Sequence, residues 1–237
     1  MKGFAMGLAA CGGVASITLF IVGPALGYAR ALPALPAFTV FGLGMLLGVP
    51  SGLVGLGMLM RSERDAAVWL ALMGLPAALF LLYSVVSARG APAINDISTD
   101  LVYPPQFVHA MTLPENAGRD MAFPDKFKEA IKKSYPDVRT LAMPGSVDEV
   151  FAKAMELARE GKGMEVTATV ITPSESVFEG YAESRLFGFV DDIVVRVTKV
   201  DEGGCVVDMR SKSRDGKGDM GANAERIRAF FAGLQSG

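Results

Sequence analysis

The chain has 237 residues, is 51% hydrophobic and carries a formal net charge of −2. Its charge is uneven: residues 1–89 hold Lys2, Arg30, Arg61, Arg64 and Arg89 against Glu63 and Asp65, and everything after them is net acidic. An acidic soluble half excludes a general nucleic-acid binder, which needs cations to displace counterions. Two distant cysteines, Cys11 and Cys205, exclude a CxxC metal or redox pair.

Three apolar runs come first. A membrane-crossing helix needs about 20 apolar residues, and the runs predict spans at about 4–28, 38–60 and 66–88 within a membrane domain of residues 1–90. The second span is expected to start near Phe38, because Pro33 and Pro36 favour a turn before it. The first run is too long for a signal-peptide core, and two more spans follow it. Lys2, Arg61 and Arg64 fall on one side of the bundle, with Arg30 and Arg89 on the other. The positive-inside tendency then places the N-terminus in the cytoplasm and the soluble half in the periplasm of a bacterial inner membrane.

Within the second span, Gly44, Gly48 and Gly52 recur at every fourth position. Glycines at this spacing share one helix face and admit a close neighbour. That neighbour is either another span of the same chain or a different subunit. Pro50 and Pro76 are candidate kink sites. No acid, base or histidine sits in mid-span, which counts against a proton relay or an ion path.

Residues 91–237 predict a soluble α+β domain entered through an extended, proline-rich strap up to about residue 145. "DKFKEAIKKSY" reads as a short helix. "PGSVDEVFAKAMELAREG" is an amphipathic helix, with Ser146 and Glu149 as a capping box and Gly161 or Gly163 as its end. "MEVTATVIT", "SVFEGYAESRL", "FVDDIVVRVTKV" and "CVVDMRSKS" follow as strands, the last two joined by the "DEGG" turn. Short turns predict a four-stranded antiparallel sheet packed with helices. A final helix starts near Ala222, with Ile227, Phe230, Phe231 and Leu234 on one face.

Strand alternation gathers Asp192, Arg196, Asp208, Arg210 and Arg214 on one face of the sheet. The plain expectation is a cross-strand charge ladder on a solvated face, with Asp192–Arg210 or Asp208–Arg196 contacts. The alternative is a polar or anion-binding face. Asp191 and Asp192 are adjacent on a strand, so they point to opposite sides and cannot work as a paired acid and base. "GKGDMGAN" lacks the Walker pattern, and Gly216, Gly218 and Asp219 read as a strand-to-helix corner with a cap. The lone His109 has no partner pattern for nucleophilic catalysis. No catalytic, cofactor or metal residue is assigned.

"RLFGFVDDIVVRV", "RSKSRDGKGDMGANAERIRAF" and "PAINDISTD" together resemble the domain of unknown function 1499 family over roughly residues 91–234. The resemblance implies a bacterial protein, often with several N-terminal spans, and plastid relatives that look lumenal. It lends no catalytic residue. The reading is therefore a non-enzymatic inner-membrane protein, an accessory, structural or assembly subunit whose partners are membrane lipids and other subunits. A module binding a lipid or other anionic amphiphile through Arg210 and Arg214 is the alternative, and an uncharacterised hydrolase ranks below both.

Overall fold

The computed structural model describes residues 2–89, 92–160, 163–200 and 203–236. They form two units, one of Met1–Arg89 with Arg185–Gly188 and one of Gly90–Ser184 with Phe189–Gly237.

The first unit holds α1 (Lys2–Tyr28), α2 (Ala34–Met60), α3 (Ala66–Leu72) and α4 (Leu75–Ser87). Gly3–Tyr28, Ala34–Met60 and Ala66–Ser87 are long and apolar enough to cross a membrane. Most of their apolar surface is left uncovered by the bundle, including Leu8, Ile21, Leu46, Leu53, Leu79 and Leu82, as lipid-facing helices require. Helix α2 begins four residues before Phe38. Pro36 is accommodated because the first turn's N–H groups have no intrahelical acceptor, so a missing donor costs nothing there. The third span is broken at Met73–Gly74, ahead of Pro76, into α3 and α4. Asp65 caps α3, its carboxylate accepting from the Val68 amide at 3.3 Å.

The glycine stripe of α2 is consumed inside this unit. Gly44, Gly48 and Gly52 are all buried. A Cβ on Gly44 would lie 2.5 Å from the Phe20 amide nitrogen, one on Gly48 2.5 Å from the Gly74 carbonyl oxygen, and one on Gly52 2.7 Å from Leu75. The close approach lets Ser16 of α1 donate to the Gly44 carbonyl at 2.7 Å. Phe20, Phe41 and Phe80 fill the adjoining space, with ring centroids 4.9–5.6 Å apart.

The second unit contains β1 (Asp96–Ser98), α5 (Lys128–Ser134), β2 (Leu141–Met143), α6 (Val147–Glu160), β3 (Met164–Ile171), β4 (Glu175–Glu183), β5 (Val190–Lys199), β6 (Cys205–Ser213) and α7 (Ala222–Ser236). The sheet has six strands where the sequence predicts four. Its order is β1-β6-β5-β4-β3, and β2 also pairs with β6. The added strands share one edge, with β1 opposite residues 210–212 and β2 opposite 205–207. Three residues are too few to print an alternation, so in sequence both merge with the strap.

One sheet face carries Phe178, Ile193, Val195, Val197, Val207 and Met209. It packs against Val150, Phe151 and Ala154 of α6 and Ile227, Phe230 and Leu234 of α7. The capping box of α6 is formed, the Ser146 amide donating to Glu149 at 2.9 Å and the Glu149 amide to Ser146 at 3.3 Å. Gly163 lies beyond α6 at φ +125, while Gly161 and the Asp201–Glu202 half of the predicted turn lie outside the described residues.

The packing of α2 predicts opposite results for two glycines. Gly48→Leu forces backbones apart and should cost about 1–3 kcal/mol or more, read as a lower melting temperature of the detergent-purified protein. Gly57→Leu, where a Cβ meets nothing within 4 Å, should melt like the wild type.

Candidate functional site

The register of β5 and β6 sets Asp192 opposite Lys212, Val194 opposite Arg210 and Arg196 opposite Asp208. Asp192, Arg196, Asp208 and Arg210 of the predicted polar face are therefore brought together, and Arg214, which follows β6, joins them through Asp192. The face is not solvated. The segment from Thr99 to Phe123, which carries no helical or strand period, lies across it and seals it with Phe107, Ala110 and Met121 against Val194. Asp192 and Arg210 are fully buried, and Asp208 nearly so.

Burial of a charge is tolerated when a partner and hydrogen bonds replace its water. Each charge here has them. Arg210 donates through Nε and Nη2 to the two carboxylate oxygens of Asp96, at 2.9 and 2.8 Å. It also donates to the carbonyls of Pro105 (3.1 Å) and Met121 (2.9 Å). Its guanidinium lies over Phe107 and Phe123, 4.7 and 5.3 Å from the ring centroids. Lys212 adds a third contact to Asp96 at 3.0 Å.

The remaining charges repeat the pattern. Asp208 accepts from Arg196 at 3.0 Å, from Thr99 at 2.9 Å and from Thr140 at 2.6 Å. Arg196 also reaches Asp100 at 2.9 Å. Asp192 accepts from Arg214 at 3.0 and 2.7 Å, from Arg119 at 3.1 Å and from Asn116 at 3.2 Å. Of the two expected cross-strand contacts, Asp208–Arg196 is present. Arg210 turns instead to Asp96, and Asp192 to Arg214.

Glu179 of β4 completes the face. Its buried carboxylate accepts from the backbone amides of Val108, His109 and Ala110 at 2.7, 2.9 and 2.8 Å. Three convergent N–H groups make an anion cradle, and the chain fills it with its own carboxylate. His109 thus takes part through its main chain.

Alternation revealed the strand residues of this face but missed Asp96, Asp100, Arg119 and Glu179. Asp96 and Asp100 sit in "NDISTD", which reads as a loose strap. Glu179 alternates correctly on β4 yet had no visible partner, because main-chain amides leave no trace in side-chain sequence.

The other candidates resolve into structural roles. Asp191 points to the helical side and binds Arg226 of α7 at 2.6 Å. Asp219 accepts from the amides of Gly221 (2.9 Å) and Asn223 (2.8 Å), capping α7. Gly216 and Gly221 adopt φ +78 and +90, whereas Gly218 has no positive φ and a Cβ there would make a tight 3.3 Å contact with Ala93. Among the described residues no three His, Cys, Asp or Glu side chains gather into a group able to hold a metal. Cys205 is buried on β6, and burial pushes its thiol pKa up.

A family model described as "Protein of unknown function (DUF1499)" matches residues 96–234, more than half of the chain. The chain belongs to that family. No curated protein and no solved structure matches it. The match begins at Asp96, the residue that anchors Arg210.

Removing one partner from a buried ion pair leaves an uncompensated charge and costs about 3–5 kcal/mol. Arg210→Met should therefore destabilise the domain by that amount, and Asp219→Ala by about 1 kcal/mol through loss of the cap. Cys205 supplies the readout. In a Cys11→Ala background its buried thiol should react slowly with maleimide. Arg210→Met should speed that labelling about a hundredfold or more, at about tenfold for each 1.4 kcal/mol.

Proposed function

We propose that this member of the DUF1499 family is a non-enzymatic, membrane-anchored docking protein, an accessory, structural or assembly subunit of a larger membrane complex. The observation that carries this reading is the internal pairing of the polar face, where Arg196 Nε is the one guanidinium nitrogen of Arg196, Arg210 and Arg214 found buried without a hydrogen-bond partner. Its buried cations are held by carboxylates and carbonyls of the same chain, so the residues best placed for chemistry are spent on tying the strap to the sheet. A catalytic site leaves polar groups directed at a substrate position, and this face directs them at one another.

The same internal pairing weighs against the anionic-amphiphile reading. Arg210 already makes four hydrogen bonds and Arg214 is engaged through two nitrogens with Asp192. An incoming anion would have to displace a carboxylate that costs nothing to bring near. The burial of Gly44, Gly48 and Gly52 within the chain's own helices moves the expected docking surface away from that stripe.

The proposed setting is a bacterial inner membrane with the N-terminus in the cytoplasm and the C-terminal domain in the periplasm. The support is the distribution of Lys2, Arg61 and Arg64 against Arg30 and Arg89, with an odd number of spans.

Two measurements test these readings. With Glu156→Cys in a Cys11→Ala background, an impermeant maleimide should label the protein in intact spheroplasts. Labelling that needs permeabilised membranes reverses the topology. Native mass spectrometry after gentle detergent extraction should show the chain bound to a second protein subunit. A chain that leaves every mild detergent with lipids alone is not an accessory subunit.

A further inference from the structure

The two edges of the sheet are treated differently. At one, β1 and β2 divide the outer side of β6 between them. At the other, β3 pairs with β4 alone among the described residues, so its outer side presents backbone donors and acceptors with no described strand beside them. Natural edge strands are usually guarded by charged residues, lysine above all, by proline, by bulges or by shortness. Met164–Ile171 has eight residues and neither lysine nor proline, and its guards are one acid, Glu165, and one bulge, between Val166 and Ala168.

Side chains at the far end of β3 are apolar and uncovered. A bulge between Val166 and Ala168 shifts the register, so that Ala168 and Val170 stand opposite Glu179 and Val177 on the strap side. Val170 is 61% and Ile171 65% exposed, and Val108 and Met111 of the strap are 70% and 58% exposed. Between strap and strand runs a groove of about 270 Å³ lined by Val108, His109, Thr112, Ala168, Val170 and Val177. A strand added beside β3 would direct alternate side chains toward this groove.

Charge identifies the occupant. From residue 163 to residue 184 there is no lysine or arginine, while Glu165, Glu175, Glu179 and Glu183 all fall there. Glu179 is held by main-chain amides, and Glu175 faces Arg196 of β5 at 4.0 Å, so the charge complementarity rests on Glu165. Glu165 is exposed and accepts a hydrogen bond from Tyr181. An acidic hairpin repels a second copy of itself and an anionic lipid surface, and attracts a cationic segment.

We propose that β3 is the docking edge of the protein and receives, by β-strand addition, an extended segment of a partner protein. That segment carries alternating apolar residues to fill the groove beside Val170 and at least one lysine or arginine near Glu165. The proposal rests on the docking reading above and specifies its surface.

The test uses the full chain in detergent and a synthetic probe, an eight-residue peptide of alternating valine and threonine with a lysine at each end. Hydrogen exchange read by mass spectrometry should show new protection confined to residues 164–171. Alternate N-methylation of the probe removes its ladder donors and should abolish that protection. Glu165→Lys should weaken binding about fivefold, since a favourable cross-strand charge pair becomes an unfavourable one. Val170→Lys, at an exposed position, should weaken it without altering melting. Equal protection by the N-methylated probe, or protection outside β3, overturns the proposal. So does protection of β3 by vesicles of phosphatidylethanolamine and phosphatidylglycerol, or by raising protein concentration with no peptide present, which assign the edge to lipid or to a second copy. A subunit that co-purifies equally with wild type and Val170→Lys removes the edge proposal and keeps the accessory reading. Peptide binding at β3 with no co-purifying subunit does the reverse.

Discussion

The second unit depends on the burial of one guanidinium. Arg210 lies in the middle of β6 with no solvent exposure, and a charge in that position demands a carboxylate and several acceptors. Asp96 provides the carboxylate, which fixes β1 against residues 210–212. The Pro105 and Met121 carbonyls provide acceptors, which fix the strap across the sheet at two points well separated in sequence. Phe107 and Phe123 then close over the guanidinium plane. A segment whose regular structure amounts to two short 3-10 helices, Ala110–Thr112 and Pro114–Asn116, is ordered because its carbonyls are needed.

The surrounding pairs extend the same arrangement outward. Arg196 links β5 to Asp100 at the start of the strap, Arg119 links its later part to Asp192, and Glu179 holds its middle through three amides. The strap is thus tied by side chain to sheet and by sheet to main chain in alternation. Such a network is costly to break at any one member, because the partner left behind stays buried. It is an inefficient way to gain stability compared with an apolar layer, and its value lies in fixing one path for a long irregular segment. The exposed positions of Val108 and Met111 are set by that path.

Sequence periodicity revealed what repeats and missed what is held by single contacts. The long helices, the capping box and the four longer strands carry enough turns or alternations to be read directly, and the face assignment of Asp192, Arg196, Asp208 and Arg210 followed from alternation alone. The two three-residue strands had no period to show. The break in the third span required weighing Gly74 against Pro76, since Pro76 in the first turn of α4 costs no hydrogen bond. The solvent state of the polar face is hidden from the sequence for a different reason. Whether a charged strand face is wet is decided by a segment about a hundred residues away in sequence, as the Asp96–Arg210 and Pro105–Arg210 contacts show. Nothing local to β6 distinguishes a buried arginine from an exposed one.

These considerations redistribute the functional signal along the chain. The features that stand out in the sequence, the glycine stripe and the clustered charges, are those the fold uses up. Gly44, Gly48 and Gly52 are spent on close backbone approach, and Arg210, Arg196 and Arg214 on carboxylates of the same chain. A residue committed to an internal partner has little left with which to meet an external one. What remains available is inconspicuous in sequence: the outer side of β3, two aliphatic side chains at its end and the exposed Glu165 on a hairpin whose own residues include no lysine or arginine. Edge strands are recognised by what lies beside them, and that is a property of sheet order. The strand most able to engage another protein is therefore visible once β1 and β2 are placed, because their occupation of the β6 edge leaves β3 as the open side of the sheet.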